Sequence, residues 1–318
     1  MLCSIILCFS VVSSTKTCFA EEAGIIYIRA DGSIDPLTAP ISTIDNITYT
    51  FVGDIFNSSV VIERDNIIID GAGFRLHSEF PPGPRGIDLT GRSNVTIKNA
   101  DIKNYVYDIY LYSSSNNIIS KNNIAPNYGG GYCISLTESS GNSISENNIT
   151  PNQGNSIQLY NSSGNVISGN NVSANFGSGI FVEYSSNNTF SENNIVDNGF
   201  IGIRIMSSSN DNKIYHNNFI NNTSHASASG INVWNDGRKG NYWSDYSLKY
   251  PNAIEIDNSG VWNIPYTVSP SDADHYPLMT QYVIPEFPSF LILPLFFIAS
   301  LLAVIVYKRK HPKNQLPD

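Results

Sequence analysis

Short apolar triplets recur through the middle of the chain: Ile87-Asp88-Leu89, Ile109-Tyr110-Leu111, Ile134-Ser135-Leu136, Ile157-Gln158-Leu159, Ile180-Phe181-Val182, Ile203-Arg204-Ile205 and Ile231-Asn232-Val233. Their first residues are spaced by 22, 25, 23, 23, 23 and 28 positions. Ten residues after each triplet begins, a second apolar column runs Ile97, Ile119, Ile144, Ile167 and Phe190, with Ile214 one residue late. Five residues further on a third column runs Ile102, Ile124, Ile149, Val172, Ile195 and Phe219. The alternation has period two, and no helical stripe of period 3.6 survives. Each repeat therefore offers three short strands with inward Ile. One repeat cannot bury that face alone, and stacked repeats share a single apolar core. A leucine-rich repeat of the same period needs a Leu-rich signature and usually a helical segment, whereas these runs are β-branched and broken by Asn, Ser and Gly.

The pattern predicts an all-β chain, a right-handed parallel β-helix of about eight coils of 22–28 residues over residues 52–240. Residues 21–51 and 241–284 are expected as its caps, because strand edges at both ends need cover. Asn doublets at 122–123, 147–148, 170–171, 193–194 and 217–218 fall in register, so their amides can hydrogen-bond from coil to coil as a ladder. Gly86, Cys133, Ser156, Gly179, Gly202 and Gly230 precede the triplets, and small residues suit a tight turn there. Cys133 reads as a packed, inert thiol.

The two ends read as addresses. Leu2 to Val12 is apolar and leads to Cys18-Phe19-Ala20, a small-residue cleavage site, so residues 1–20 are expected as a signal peptide. Phe290 to Tyr307 is a run of 18 uncharged residues, about 27 Å as a helix, followed by Lys308, Arg309 and Lys310. It is expected as a C-terminal transmembrane helix with the basic tail inside and the rest of the chain at the outer face. Only 14% of the 318 residues are charged and the net charge is −9. Such a balance lacks the basic stripe of a nucleic-acid partner. With Cys3, Cys8 and Cys18 all in the leader, Cys133 stands alone and no disulfide framework exists.

Three stretches carry a family resemblance: the Asn-Asn-x-Ile-Ser-x-Asn-Asn coils, the opening Asp65-Asn66-Ile67-Ile68-Ile69-Asp70-Gly71-Ala72-Gly73, and Gly240-Asn241-Tyr242-Trp243-Ser244-Asp245-Tyr246 followed by Pro265-Tyr266 and Asp274-His275-Tyr276-Pro277-Leu278-Met279. The chain resembles the NosD-like parallel β-helix repeat proteins of archaeal surfaces. The resemblance implies that the last elements close the C-terminal end. In the family an Asp-rich, calcium-loop-like stretch often lies between them; here Lys249-Tyr250-Pro251-Asn252-Ala253 takes its place. Residues 285–318, with Pro285-Glu286-Phe287 before the apolar run, resemble the archaeal PEF-type sorting and anchoring signals.

Outward positions of the triplet strand form two columns along the axis. One reads Asp88, Tyr110, Ser135, Gln158, Phe181, Arg204, Asn232, and the other Thr90, Tyr112, Thr137, Tyr160, Glu183, Met206, Trp234. Aromatic rings with scattered polar groups suit sugar rings, whose C–H faces pack on aromatics. Tyr110, Tyr112, Tyr160, Phe181, Glu183, Arg204 and Trp234 are the candidate ligand-binding residues, with a glycan or another cell-envelope component as partner. Loop aromatics Tyr105, Tyr107, Tyr128, Tyr132, Phe176 and Phe200, with His225, are expected to extend this face into a groove. Catalysis is the lesser reading. Glycosidases hold two carboxylates about 5–9.5 Å apart, and Asp88 and Glu183, the only acids on these columns, are four coils or roughly 20 Å apart. Glu183 and Arg204 could serve a lyase, but a surface ion pair between them is the plainer expectation. No His-x-His, Cys-x-x-Cys or Met cluster points to a metal, and no cofactor is implied. The alternatives are a polysaccharide lyase or glycoside hydrolase, or an accessory to a membrane metalloenzyme.

Overall fold

The computed structural model describes residues 24–79, 83–124, 130–206 and 208–284. The leader and residues 285–318, on which the cleavage site, sorting motif and membrane span were placed, lie outside them. Among the described residues no helix is long and apolar enough to cross a membrane.

The chain winds as a parallel β-solenoid of about eight turns with three sheets. The long sheet takes the triplet strands in register: Ile87, Ile109, Ile134, Ile157, Ile180 and Ile203 stack coil on coil. The second sheet stacks Ile69, Ile97, Ile119, Ile144, Ile167, Phe190 and Ile214, and the third stacks Leu76, Ile102, Ile124, Ile149, Val172, Ile195 and Phe219. All three columns are buried in one continuous core. The solenoid reaches further toward the N-terminus than residue 52, because Gly24–Ile28 pairs in parallel with Ser58–Ile62 in the long sheet. Short antiparallel returns, Ile34–Asp35 on Gly24–Ile28 and Ile41–Ser42 on Thr48–Phe51, cover edges there.

The corners explain the Asn and αL content. Each of Lys121, Glu146, Gly169, Glu192 and His216 sits at positive φ, and the residue after it is a buried Asn: Asn122, Asn147, Asn170, Asn193 and Asn217. Asn side chains satisfy the polar groups that such a sharp corner would leave buried. In this ladder each Asn sends its backbone N–H and Nδ2 to Oδ1 of the next coil and Nδ2 also to a carbonyl of the coil before, as Asn170 does to Asn193 and Ile144. A second buried ladder, unread in the sequence, runs Asn117, Asn142, Asn165, Asn188, Asn212 and Asn232 at the other corner. A shorter third one runs Asn175, Asn198 and Asn222.

The last triplet departs from expectation. The strand opposite Ile201–Ile205 is Ser224–Ala228, with Ala226 facing Ile203, and Ile231-Asn232-Val233 lies beyond it. Ile231 is 69% and Val233 45% exposed, whereas Trp234 is wholly buried. At this end Trp234 and Trp243 fill the core in place of Ile, with Trp243 stacked on Phe219 at 4.5 Å and on Tyr266 at 4.0 Å. Of the small residues before the triplets, Gly86, Gly179 and Gly202 form a column packed against the next coil's backbone; a Cβ on Gly202 would lie 2.5 Å from the His225 carbonyl, whereas Gly230 sits at positive φ outside that column. Cys133 shares that column with Asp108, both fully buried, and burial pushes the thiol well above its ordinary value.

Candidate functional site

The outward face of the long sheet brings most of the sequence-predicted residues together. Tyr110 lies on Tyr105–Tyr112, with the Arg85 guanidinium 4.0 Å over its ring and the Tyr107 ring at 5.2 Å. Tyr107 stacks on Tyr132 of the next coil at 6.2 Å. Burial raises the hydroxyl pKa of Tyr110 and of Tyr132. Tyr112 and Tyr160 stand 37% and 38% exposed two coils apart, and Tyr160 meets Tyr184 edge-on at 5.6 Å. Glu183 lies beside Tyr160 on the following coil, in register with it. Phe181 and Arg204 occupy neighbouring positions on adjacent coils.

Three expectations need correction. Trp234 is not on this face, because it follows the displaced triplet into the core, where its indole N–H donates to Asp272 Oδ2 at 3.1 Å. Ser135, expected outward, is buried under its neighbours with its hydroxyl donating to Gln158 Oε1 at 3.0 Å. Arg204 and Glu183 form no ion pair; the Arg204 guanidinium instead lies 5.8 Å from the Phe181 ring and 5.5 Å from the Phe200 ring. Of the loop aromatics, Tyr107 and Tyr132 belong to the sheet itself, and Phe176 and Phe200 are exposed on the turn. Tyr105 is buried and donates to the Ser58 carbonyl at 2.7 Å, so it shields the core. Tyr128 lies outside the described residues.

Chemically, this face offers rings and hydrogen-bonding groups, and among the described residues its two carboxylates, Asp88 and Glu183, are not brought together. Asp88 is occupied, bonded to the Arg85 guanidinium and to Thr90 N–H at 2.9 Å. It stands four strands from Glu183, roughly 19 Å at the spacing of parallel strands.

The C-terminal end holds the titratable groups that the sequence did not expose as a set. The two long Asn ladders both finish on carboxylates of one short hairpin. Asn232 donates its backbone N–H and Nδ2 to Asp272 at 3.1 Å each, and Asn241, last of the other ladder, donates its N–H to Asp274 Oδ2 at 2.7 Å. The third ladder finishes on His225. Asn222 Oδ1 accepts from Asn198, which fixes its amide so that Nδ2 faces His225 Nδ1 at 3.4 Å. That amide orientation favours the tautomer in which Nδ1 accepts and the proton sits on Nε2. Nε2 lies 3.2 Å from Ser244 Oγ and 3.3 Å from Asp245 Oδ1, at the wall of a cleft of about 570 Å³ that also holds Lys249 and Tyr266. Burial lowers the His225 pKa, Lys249 adds to that, and Asp245 opposes it. A clue to this grouping was the spacing itself: 23 residues after Ile203 stands Ala226, not Ile231.

A parallel β-solenoid with buried Asn ladders and an aromatic face on its long sheet defines the class of β-helix repeat proteins. Residues 57–248 match the model of the family described as periplasmic copper-binding protein (NosD), and the chain belongs to that family. Among curated proteins none matches in sequence. Among solved structures, a double mutant of the periplasmic alginate epimerase AlgG is 16% identical with a TM-score of 0.40, covering 65% of this chain and 72% of that one. An alginate lyase from Paenibacillus sp. str. FPU-7 is 14% identical with a TM-score of 0.35, covering 56% and 88%. The catalytic domain of a GH87 alpha-1,3-glucanase is 14% identical with a TM-score of 0.24, covering 61% and 54%.

The copper in the family's description can be tested against the donors present. Among the described residues no three His, Cys, Asp or Glu side chains gather in one place. Beside His225 Nε2 stand only Asp245 Oδ1 and the Ser244 hydroxyl, too few donors to hold a copper ion. The Cys133 thiol is sealed in the core against Asp108. His216 is stacked on Tyr282 at 4.3 Å. These residues do not fit a copper centre.

Proposed function

We propose that the protein is an extracytoplasmic surface protein that binds glycan along the aromatic face of its long sheet without cleaving it. The observation carrying this reading is the run of rings on one face: Tyr107, Tyr110 and Tyr132 packed at 5.2 and 6.2 Å, then Tyr112 and Tyr160, then Phe181 and Phe200. Rings presented in register along an axis suit a polymer of pyranoses, which lays apolar C–H faces on them while its hydroxyls reach Gln158 and Glu183. The family description supports a place outside the cytoplasm. In this reading residues 1–20 direct export, and residues 285–318, with their PEF-type motif and apolar run, hold the protein to the outer face of the membrane.

The test is a glycan array with the purified protein. Tyr160→Ala and Phe181→Ala should each weaken a bound glycan by about 1–2 kcal/mol. Unchanged affinity in both, with circular dichroism intact, would move the site to another face. Release of reducing sugar or unsaturated product from a bound polymer, lost in Glu183→Gln, would replace binding by catalysis.

A further inference from the structure

We propose that the glycan recognised by the aromatic face is anionic, carrying a carboxylate or sulfate on its sugar ring, and that Arg204 receives that group; this rests on the glycan reading above. Arg204 is the one residue of Ile201–Ile205 that is not buried, between Phe181 on the coil before and Ser227 on the coil after. Its guanidinium sits within 5.8 Å of the Phe181 ring centre and 5.5 Å of the Phe200 ring centre. Among the described residues it has no carboxylate within ion-pair distance, even though the chain carries a net charge of −9. The contrast is with Arg85 on the same face, which also lies on a ring, that of Tyr110, but whose charge is met by Asp88. Arg29, Arg75 and Arg92 are likewise matched, by Asp35 and Glu63, Asp54, and Asp65.

Phenyl rings beside a guanidinium hold it in place while offering its N–H edge nothing to bond. That edge is a fork of donors whose geometry matches the paired oxygens of a carboxylate or sulfate. On a surface otherwise built of rings, an unmatched fork selects for a sugar that brings its own anion. The neighbouring exposed Ser227 and the Gln158 two coils back supply hydroxyl contacts on either side.

Affinity electrophoresis or calorimetry of the full chain with polygalacturonate, dextran sulfate and dextran separates the cases. Polygalacturonate or dextran sulfate should bind at least about tenfold more tightly than dextran, and whichever is preferred identifies carboxylate or sulfate. Arg204→Gln should bring that affinity down to the dextran level, Arg204→Lys should keep part of it, and Arg238→Gln, a charge lost on a remote exposed turn, should leave it unchanged. Added salt should weaken the wild type and not Arg204→Gln. Equal binding of all three polymers, or binding untouched by Arg204→Gln while Tyr160→Ala still weakens it, overturns the anion assignment and leaves the glycan face standing. Binding of none, or loss in neither variant, overturns both.

Discussion

Asp274 Oδ2 accepts the backbone N–H of Asn241 at 2.7 Å and is approached by its Nδ2 at 3.4 Å, while also taking the Trp243 indole N–H at 3.0 Å. Every amide of the ladder behind Asn241 donates in the same direction, so the last one has donors and no further coil to receive them. The carboxylate supplies the acceptor, and a charged acceptor is the strongest kind. Asp274→Ala should therefore strand two buried donors, the Asn241 backbone N–H and the Trp243 indole N–H, at about 1–3 kcal/mol for each left unsatisfied, while Asn241 Nδ2 keeps the carbonyls of Ile214 and Trp234. Urea unfolding checks this; a loss below about 1 kcal/mol would mean that water replaces the carboxylate.

The same relationship explains a glycine. A Cβ on Gly240 would occupy the space of the Asp274 carboxylate. Gly240→Ala should cost stability by displacing that carboxylate, so its effect and that of Asp274→Ala should be far from additive in a double-mutant cycle. Simple additivity would show that the two residues act separately.

Burial pushes the Asp274 carboxyl up to about 6 from its ordinary 3.8, against the pull of its hydrogen bonds from Asn241, Trp243 and Tyr276. Between these values the folded state holds a proton that the unfolded state has released. Stability should thus fall as pH rises from about 4 to about 6, by up to about 3 kcal/mol. His225 works in the opposite sense. Its pKa is lowered by burial and by Lys249, with Asp245 opposing and Ser244 and Asn222 as neutral neighbours. Its contribution is complete above its ordinary 6.5 and is lost as pH falls below that. Melting temperatures across pH 4 to 7 for the wild type, Asp274→Asn and His225→Gln separate the two, since each variant should remove one slope. A wild-type profile retained in Asp274→Asn would refute the assignment.

Much of this was legible. The three columns of Ile, Val and Phe set strand, register and core because a buried face tolerates no slip, and the doublets marked one ladder. The second ladder escaped notice because no second Asn follows its members: Asn117, Asn142, Asn165, Asn188 and Asn212 lead into Ile118, Ser143, Val166, Thr189 and Lys213, which leave no fixed motif. Trp234 was misplaced because apolar periodicity drew the last coil to Ile231, whereas a terminal coil covered by Trp234 and Trp243 needs no Ile and uses Ala226. The Asp272 and Asp274 contacts span 40 and 33 residues to Asn232 and Asn241, beyond any local pattern.

Within one doublet the two amides should differ sharply. Asn170 is buried and bonds to Ile144, Asn147 and Asn193, whereas Asn171 makes a single exposed bond to Asn148 at 2.8 Å. Asn170→Leu should cost about 2–4 kcal/mol and Asn171→Ala less than about 1. Equal costs in denaturant unfolding would mean that the outer amides carry the ladder as well.

The common direction of the ladder bonds makes the two ends of the solenoid chemically unlike. Whole coils can be gained or lost between Asn122 and Asn217 without disturbing any bond type, since each new amide accepts from one neighbour and donates to the next. Nothing of the kind holds at the hairpin of Asp272 and Asp274, where growth would have to displace the hairpin and its two buried carboxylates. Length in this lineage can therefore change by internal duplication, while the terminus stays fixed, and two such solenoids cannot be fused tail to head into a longer one by simply continuing the stack.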